Sequence, residues 1–329
     1  MWIGIRGWLL IRIRLAFCVL AALSGCRGAS DEKPRPLRLG TNVWVGYEPL
    51  YVAREQKLYK GDPVKLVEFS SATQVLSAFR SGVIDAAALT LDEAVLLQNA
   101  GFPIRLILVF DYSYGGDVLL AKPHIESVAE LRGKLIAVED TALGGYTLAL
   151  ALKKGGLSRA DVIVKTAEVD SHEQVFASDE VDAVVTFEPV RTRLLAQGAK
   201  TLFSSREVPR KIIDVLVVSE KAATVHEKHL DAVLDGYFLA LSKAEYRDQS
   251  TLAMMGQRMH LAPAQVELAL EGIKSPNRAE AQEFLSGTDI STAVHDVVSF
   301  MIESELLAEG THIELQSWRA GADQGETSP

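Results

Sequence analysis

The sequence predicts an α/β fold of two similar lobes followed by an all-helical segment, and three observations carry that prediction. From Leu37 to about Ser219, short apolar runs alternate with helical patterns, as strands and helices do when they take turns along a chain. Ile84-Asp85-Ala86-Ala87-Ala88-Leu89-Thr90 is echoed about a hundred residues later by Val181-Asp182-Ala183-Val184-Val185-Thr186-Phe187, and an acid and a helix follow each copy. After residue 220 the texture changes to helices alone.

Each element has its own local reason. Residues 37–40 open a strand, and Pro49 stands where its fixed φ suits the first turn of a helix running to about Tyr59. Residues 64–69 alternate as a strand, 73–80 form an amphipathic helix ending at Gly82, 86–89 read as a buried strand, 91–99 are helical up to Gly101, and 104–110 are strand again. In the second set 118–121 is a strand, and Ser127-Val128-Ala129-Glu130 has the form of a capping box. Residues 135–138 are a strand, and 146–154 a helix stopped by Gly155-Gly156. Strands at 163–167, 183–185 and 215–219 complete the set. Helices are expected at about 226–243, 246–258, 263–271, 278–285 and 290–304, with a polar tail from about Arg319 expected to be disordered.

Composition narrows the function. At roughly 150 residues per domain, 329 residues make about two domains or lobes. Hydrophobic residues at 48% and charged ones at 23% exclude a disordered chain. A net charge of -9 argues against nucleic-acid binding, which needs a basic face. Seven histidines and two cysteines leave little for a multi-metal centre or a disulfide framework, and no cofactor or metal is expected. Neither a Gly-x-Ser-x-Gly elbow, nor a P-loop, nor a Gly-x-Gly-x-x-Gly fingerprint occurs. His226-Glu227-Lys228-His229 is one residue short of the zinc pattern His-Glu-x-x-His and reads as a solvated helix.

The amino terminus reads as an address. Arg6, Arg12 and Arg14 precede the short apolar run 15–23, too short to span a bilayer, and small residues close it: the layout of a secretory signal over residues 1–25. Leu23-Ser24-Gly25-Cys26 resembles the lipobox of bacterial lipoproteins, which implies lipid on Cys26. Residues 26–36, polar and bearing proline, then read as a tether.

Ligands of open parallel sheets bind beyond the carboxyl ends of the strands. The loops there combine aromatics, hydroxyls and glycines: 41–49, 70–73, 90–92, 111–117, 141–146 and 187–189. Trp44 and Tyr47, beside Gly46, read as a stacking wall or as core aromatics. Ser70, Ser71 and Thr73 precede a helix and could cap it or hold a ligand anion at its positive end. Thr90 and Asp92 open another helix. Asp111, Tyr112, Ser113, Gly116 and Asp117 concentrate charge, aromatics and bendable backbone, as a hinge or a close ligand approach requires.

The stretches Trp44-Val45-Gly46-Tyr47-Glu48-Pro49-Leu50-Tyr51-Val52-Ala53, Phe79-Arg80-Ser81-Gly82-Val83-Ile84-Asp85-Ala86, Leu131-Arg132-Gly133-Lys134-Leu135-Ile136-Ala137-Val138 and Glu188-Pro189 resemble, in order and spacing, the periplasmic substrate-binding proteins of ABC importers. The likeness is to the nitrate, sulfonate and taurine type, which also includes binders of thiamine-pyrimidine precursors. It implies a type II two-lobe fold with two crossover strands. Lobe one would take 37–112 and 212–318, lobe two 113–211, with the crossovers near 111–118 and 211–217. It further implies a small-molecule ligand in the interlobe cleft, a permease partner, a monomer, and a place in the periplasm or at the cell surface, with membrane contact through the lipid only. Thr141, Gly144, Gly145 and Tyr146 resemble the family's second-lobe anion loop. Glu188 departs from the aromatic that sulfonate-type relatives have there: facing the cleft it would disfavour a bare sulfonate, and at a helix start it would only complement the dipole. The ligand is therefore expected to be sulfonate- or taurine-like, or else a pyrimidine-type, cationic or zwitterionic solute. A secreted enzyme on the same scaffold is the rival of another class.

Overall fold

The computed structural model describes residues 35–139, 141–178 and 180–318. The signal-like segment 1–25 with its lipobox, nearly all of the tether, Cys26 included, and the tail from Arg319 onward lie outside the described residues. In chain order the strands are β1 (Leu37–Thr41), β2 (Val64–Glu68), β3 (Ala86–Thr90), β4 (Ile104–Ser113), β5 (Asp117–Ala121), β6 (Leu135–Val138), β7 (Ile163–Thr166), β8 (Ala183–Phe187), β9 (Lys200–Ser204) and β10 (Ile213–Ser219), with the short β11 (Ile273–Lys274) and β12 (Gln316–Ser317).

They form two sheets. The first runs β11-β4-β10-β3-β1-β2, with β12 also on β4, and the second runs β7-β6-β8-β5-β9. Both follow one plan. Three strands are parallel, β2-β1-β3 in one and β7-β6-β8 in the other. A strand that has just crossed from the other sheet then pairs antiparallel beside them: β10 against β3, and β5 against β8. Residues 114–116 carry the chain from the first sheet to the second, and residues 205–212 carry it back. The expected two-lobed α/β architecture with a helical carboxyl-terminal segment is what the chain adopts.

The internal echo has a shared physical purpose. Asp85 accepts hydrogen bonds from Arg38 N (3.0 Å) and Arg38 Nε (2.9 Å) and pairs with Arg38 Nη2 at 2.9 Å. Asp182 accepts from Leu135 N at 3.0 Å. The separation is 47 residues in each case. Each carboxylate thus holds the backbone N–H at the start of the neighbouring parallel strand, while Asp85 N and Asp182 N donate to the carbonyls of Arg38 and Leu135 at 2.8 Å.

The helical segment packs back onto the first sheet. Tyr237, in the helix Glu227–Ser242, donates from its hydroxyl to Phe110 O (3.2 Å). Arg258, in the helix Gln249–Met259, reaches Glu48 Oε1 at 3.2 Å, pairs with Glu68 and lies over the Tyr51 ring. The segment also touches the second lobe, where Arg193 Nη1 donates to Met259 O (2.9 Å) and Lys153 pairs with Glu303 (2.7 Å). Among the described residues no helix is long and apolar enough to cross a membrane.

Three local expectations change. The helix Glu48–Glu55 stops short of Tyr59 because Lys57 adopts a left-handed φ of 55° and Tyr59 turns back, its hydroxyl donating to Leu50 O (2.8 Å). The capping-box sequence at Ser127 makes only a 3-10 turn, Val128–Leu131. The helix expected from Tyr146 begins at Ala142, so Gly144 and Gly145 lie inside it. The helix expected after the second copy of the echo is Val190–Ala196, whereas the helices His172–Ala177 and Glu220–Val225, and strand β9, went unpredicted because they are too short to establish a period.

If the two aspartates do the same work, Asp85→Ala should cost about 2–3 kcal/mol and Asp182→Ala about 1–2 kcal/mol, since the former loses more charge-assisted bonds. Urea unfolding followed by circular dichroism measures both. Equal, negligible losses would remove the echo's structural role.

Candidate functional site

Topology brings the carboxyl ends of the parallel strands of the two sheets face to face, and each antiparallel strand starts at that same edge. Asp214, near the start of β10, is in register with Thr90 on one side and Asp111 on the other. Asp117, the first residue of β5, is in register with Phe187. The edge therefore collects acids from strands that the chain reaches only by crossing between lobes.

A small cavity lies there. The first lobe lines it with Asn42, Trp44, Tyr47, Ala72, Thr90, Glu93 and Asp214, and the second with Asp117, Leu143 and Phe187. The lobes are drawn so close that its free volume is about 10 Å³, room for one water. A much larger groove of about 1340 Å³ opens on the outer face, beside Phe238, Leu270 and Arg278. That groove lies away from the carboxyl ends of the parallel strands, so topology favours the interlobe cavity.

Trp44 is the organising side chain. Its Nε1 donates to Asp111 Oδ2 at 3.1 Å, and its ring meets Phe187 of the other lobe edge-on at 5.9 Å. Two glycines make room for it. A Cβ on Gly46 would fall 1.8 Å from Asp111 Oδ2, and one on Gly116 would fall 2.5 Å from Trp44 Cη2. Gly46 and Gly116 thus shape the wall without lining the cavity. Tyr47 donates from its hydroxyl to Asp214 Oδ1 at 2.6 Å.

The electrostatics are one-sided. Asp92, Glu93, Asp111, Asp117 and Asp214 are all buried at or beside the cavity. Among the described residues no Lys, Arg or His lines it. Asp92 Oδ2, Glu93 Oε1 and Asp111 Oδ1 have no hydrogen-bond partner. Burial raises every one of these carboxyls, because a charge is poorly solvated there. It pushes Asp117 to about 7, against a hydrogen bond from Ser113, with the charges of Asp92 and Glu188 adding to the rise. It holds Asp214 well above the carboxylate range, helped by Asp111 and Asp117. Asp92, Glu93 and Asp111 are raised by the same burial. Among the described residues no group of three His, Cys, Asp or Glu is disposed to hold a metal ion.

The remaining predicted residues are placed elsewhere, each for a physical reason. The positive end of the helix Ala72–Arg80, expected to take a ligand anion, is already taken by a carboxylate of the protein. Thr73 N and Oγ1 donate to Glu139 Oε1 of the second lobe at 3.0 and 2.9 Å, and Ser71 Oγ donates to Glu168 Oε2 at 2.8 Å. Ser70 is exposed and accepts from Gln74 Nε2. Thr141 is a helix cap, its Oγ1 accepting from Gly144 N at 3.3 Å. Gly144 packs on the Glu139 carbonyl, Gly145 faces Leu306, and Tyr146 is buried edge-on against Phe300, so of this segment it is Leu143 that lines the cavity. Tyr112 leans outward between Arg210 and Phe284. Ser113 shares a hydrogen bond with Ser205 Oγ where the chain crosses (2.8 Å). Glu188 does not face the cavity: it pairs with Arg191 (2.7 Å) and accepts from Thr192 N (3.2 Å) and Oγ1 (3.0 Å), which is the helix-start alternative.

Sequence reasoning passed over Asn42, Ala72, Glu93, Leu143, Phe187 and Asp214. Asp214 had a usable signal, a lone acid opening the apolar run Val215-Leu216-Val217-Val218.

A sequence model of the NMT1-like family matches residues 30–257. An aliphatic sulfonates-binding protein of Escherichia coli (strain K12) is 20% identical over 320 residues, 95% of this chain and 98% of that protein. The taurine-binding periplasmic protein of the same strain is 26% identical over 202 residues, 58% of this chain and 62% of its own length. Among solved structures, the alkanesulfonate-binding protein SsuA from Xanthomonas axonopodis pv. citri bound to MOPS is similar with a TM-score of 0.72 and 21% identity, covering 84% of this chain and 95% of that one.

The buried carboxyls set a pH dependence. A folded-state value above the unfolded one means that the unfolded chain binds fewer protons in between, so stability falls as pH rises through that window. Asp117, Glu93, Asp111 and Glu48 act in this sense up to about 7 or 8. Buried His172, lowered from 6.5 to about 4, acts oppositely, but only below 6.5. Between pH 6.5 and about 8, Tm should therefore fall, and Glu93→Gln should flatten the slope. A Tm that rises over that range would contradict the burial of these acids.

Proposed function

Because the chain belongs to the NMT1-like family and has the two-lobed fold of periplasmic binding proteins, we propose that it is the solute-binding component of an ABC importer, closing on a small organic solute and handing it to the permease unaltered. The observation that carries this reading is the cavity lined from both sheets, with Trp44 of one lobe against Phe187 of the other. An open cleft would separate these walls and release the bridges from Thr73 to Glu139 and from Ser71 to Glu168. A solute touching both lobes binds the closed form better and so favours closure. The pivot is the short crossing at 114–116, where Gly115 has a φ of 117° and Tyr114 N and Gly116 N both donate to Gly272 O (2.8 and 2.9 Å).

In this reading the protein works as a monomer in the periplasm or at the cell surface, held by lipid on Cys26. The relatives' names make sulfonates and taurine the first solutes to try. The acidic lining favours a second class, a cationic or zwitterionic solute. An enzyme on this scaffold would also close on its ligand, and product formation separates the two.

A solute that binds should raise Tm, in proportion to the logarithm of its concentration over Kd, and persist unchanged by NMR. Trp44→Ala should weaken the best such solute by at least about tenfold while the circular dichroism spectrum stays native. Unchanged affinity would remove Trp44 from the site, and conversion of the solute would overturn the receptor. Expressed in a bacterium, the chain should incorporate labelled fatty acid and Cys26→Ser should not. Equal labelling of both would rule out the anchor.

A further inference from the structure

The acids at the cavity go beyond naming a receptor and point to the charge of what it receives. Glu93 is 1% exposed and is fixed at one oxygen, its Oε2 accepting from Thr90 N at 3.1 Å, while its Oε1 has no partner. Asp214 is fixed by the Tyr47 hydroxyl at 2.6 Å. Asp117 adds a third carboxyl from the opposite lobe. A buried polar atom without a partner is uncommon in a folded protein, and one on a cavity wall is a place for a donor. Trp44 and Phe187 supply aromatic faces beside these acids, and such faces attract cations as well as apolar groups.

The groups that would hold an anion are, by contrast, already engaged. The N-terminus of the helix Ala72–Arg80 donates to Glu139, and Thr141 caps its own helix. A sulfonate in this cavity would be desolvated with no Lys, Arg or His among the described residues lining the space to compensate it, which is unfavourable.

Resting on the receptor reading above, we infer that the solute is a small organic cation whose N–H donors bridge Glu93 and Asp214 of the first lobe to Asp117 of the second, with Trp44 as the adjoining wall. The cation would let these acids ionise. Because it would touch carboxyls on both lobes, it would hold the lobes together. Admitting it requires the lobes to part, and holding it requires them to close less far than here, where the cavity leaves about 10 Å³.

The test uses the purified full chain at neutral pH with four probes: putrescine, benzamidine, taurine and methanesulfonate. At least one of the two amine-type cations should raise Tm and bind by calorimetry, while methanesulfonate does neither. Glu93→Gln and Asp214→Asn should each weaken that binding by at least about tenfold. Each variant puts a neutral amide of the same shape where burial disfavours a charge, so both should fold with stability equal to the parent or higher, which separates loss of binding from loss of fold. Neither cation binding, or a cation binding equally well to the parent and both variants, would overturn the inference. Taurine or methanesulfonate binding without either cation would overturn it too, yet leave the receptor reading standing. Conversion of a bound cation into product would instead overturn the receptor reading.

Discussion

The constraint on which the rest depends is the placing of an antiparallel strand beside the carboxyl ends of three parallel ones, once in each sheet. A parallel strand delivers a loop at that edge, whereas the incoming antiparallel strand delivers its first residues. In this chain those residues are Asp214 and Asp117. A charge at the start of a buried strand is tolerated only where a partner can reach it, and the closed lobes leave these acids with hydroxyls for company, Tyr47 for Asp214 and Ser113 for Asp117. The chemistry of the cleft follows from strand order before any loop is considered.

Closure has its own electrostatic logic. Glu139 and Glu168 extend from the second lobe to the helix start at Ser71 and Thr73, where free N–H groups and the positive end of the dipole favour a carboxylate. The latch is thus an anion supplied by the protein to a site that in a related cleft could serve a ligand. Latch and cavity are distinct: one joins the lobes through Glu139 Oε1, which accepts twice from Thr73 while Oε2 has no partner, and the other faces them with acids still short of donors. Their separation lets the lobes meet without the cavity's own charges being neutralised.

Much of this was legible in the sequence where the pattern is local. Alternating runs gave the strands, the echo at Asp85 and Asp182 gave the two lobes, and the Trp44-Gly46-Tyr47 loop gave one wall of the cavity. Non-local information was not legible. Whether Asp92 or Glu93 lines the cavity depends on the phase of one helix, and both are acids. Asp214 precedes the apolar run by which β10 is recognised, so the run itself does not point to it. Glu139 reaches Thr73 across 66 residues, which no local pattern encodes. Glu188 drew attention as an acid in a cleft loop, but Arg191 and Thr192, one helical turn on, occupy it.

The two sheets also differ in how they can be made. The second, β5 to β9, is one uninterrupted stretch from Asp117 to Ser204, so all its strands have emerged before the chain returns. The first cannot be closed without the residues up to Ser219, because among the described residues β10 alone stands between β3 and β4. Until β10 is in place, β1 to β4 carry an open seam between β3 and β4. The second lobe is thus complete within one continuous segment of chain, whereas the first depends on a strand that lies beyond the whole of the other lobe.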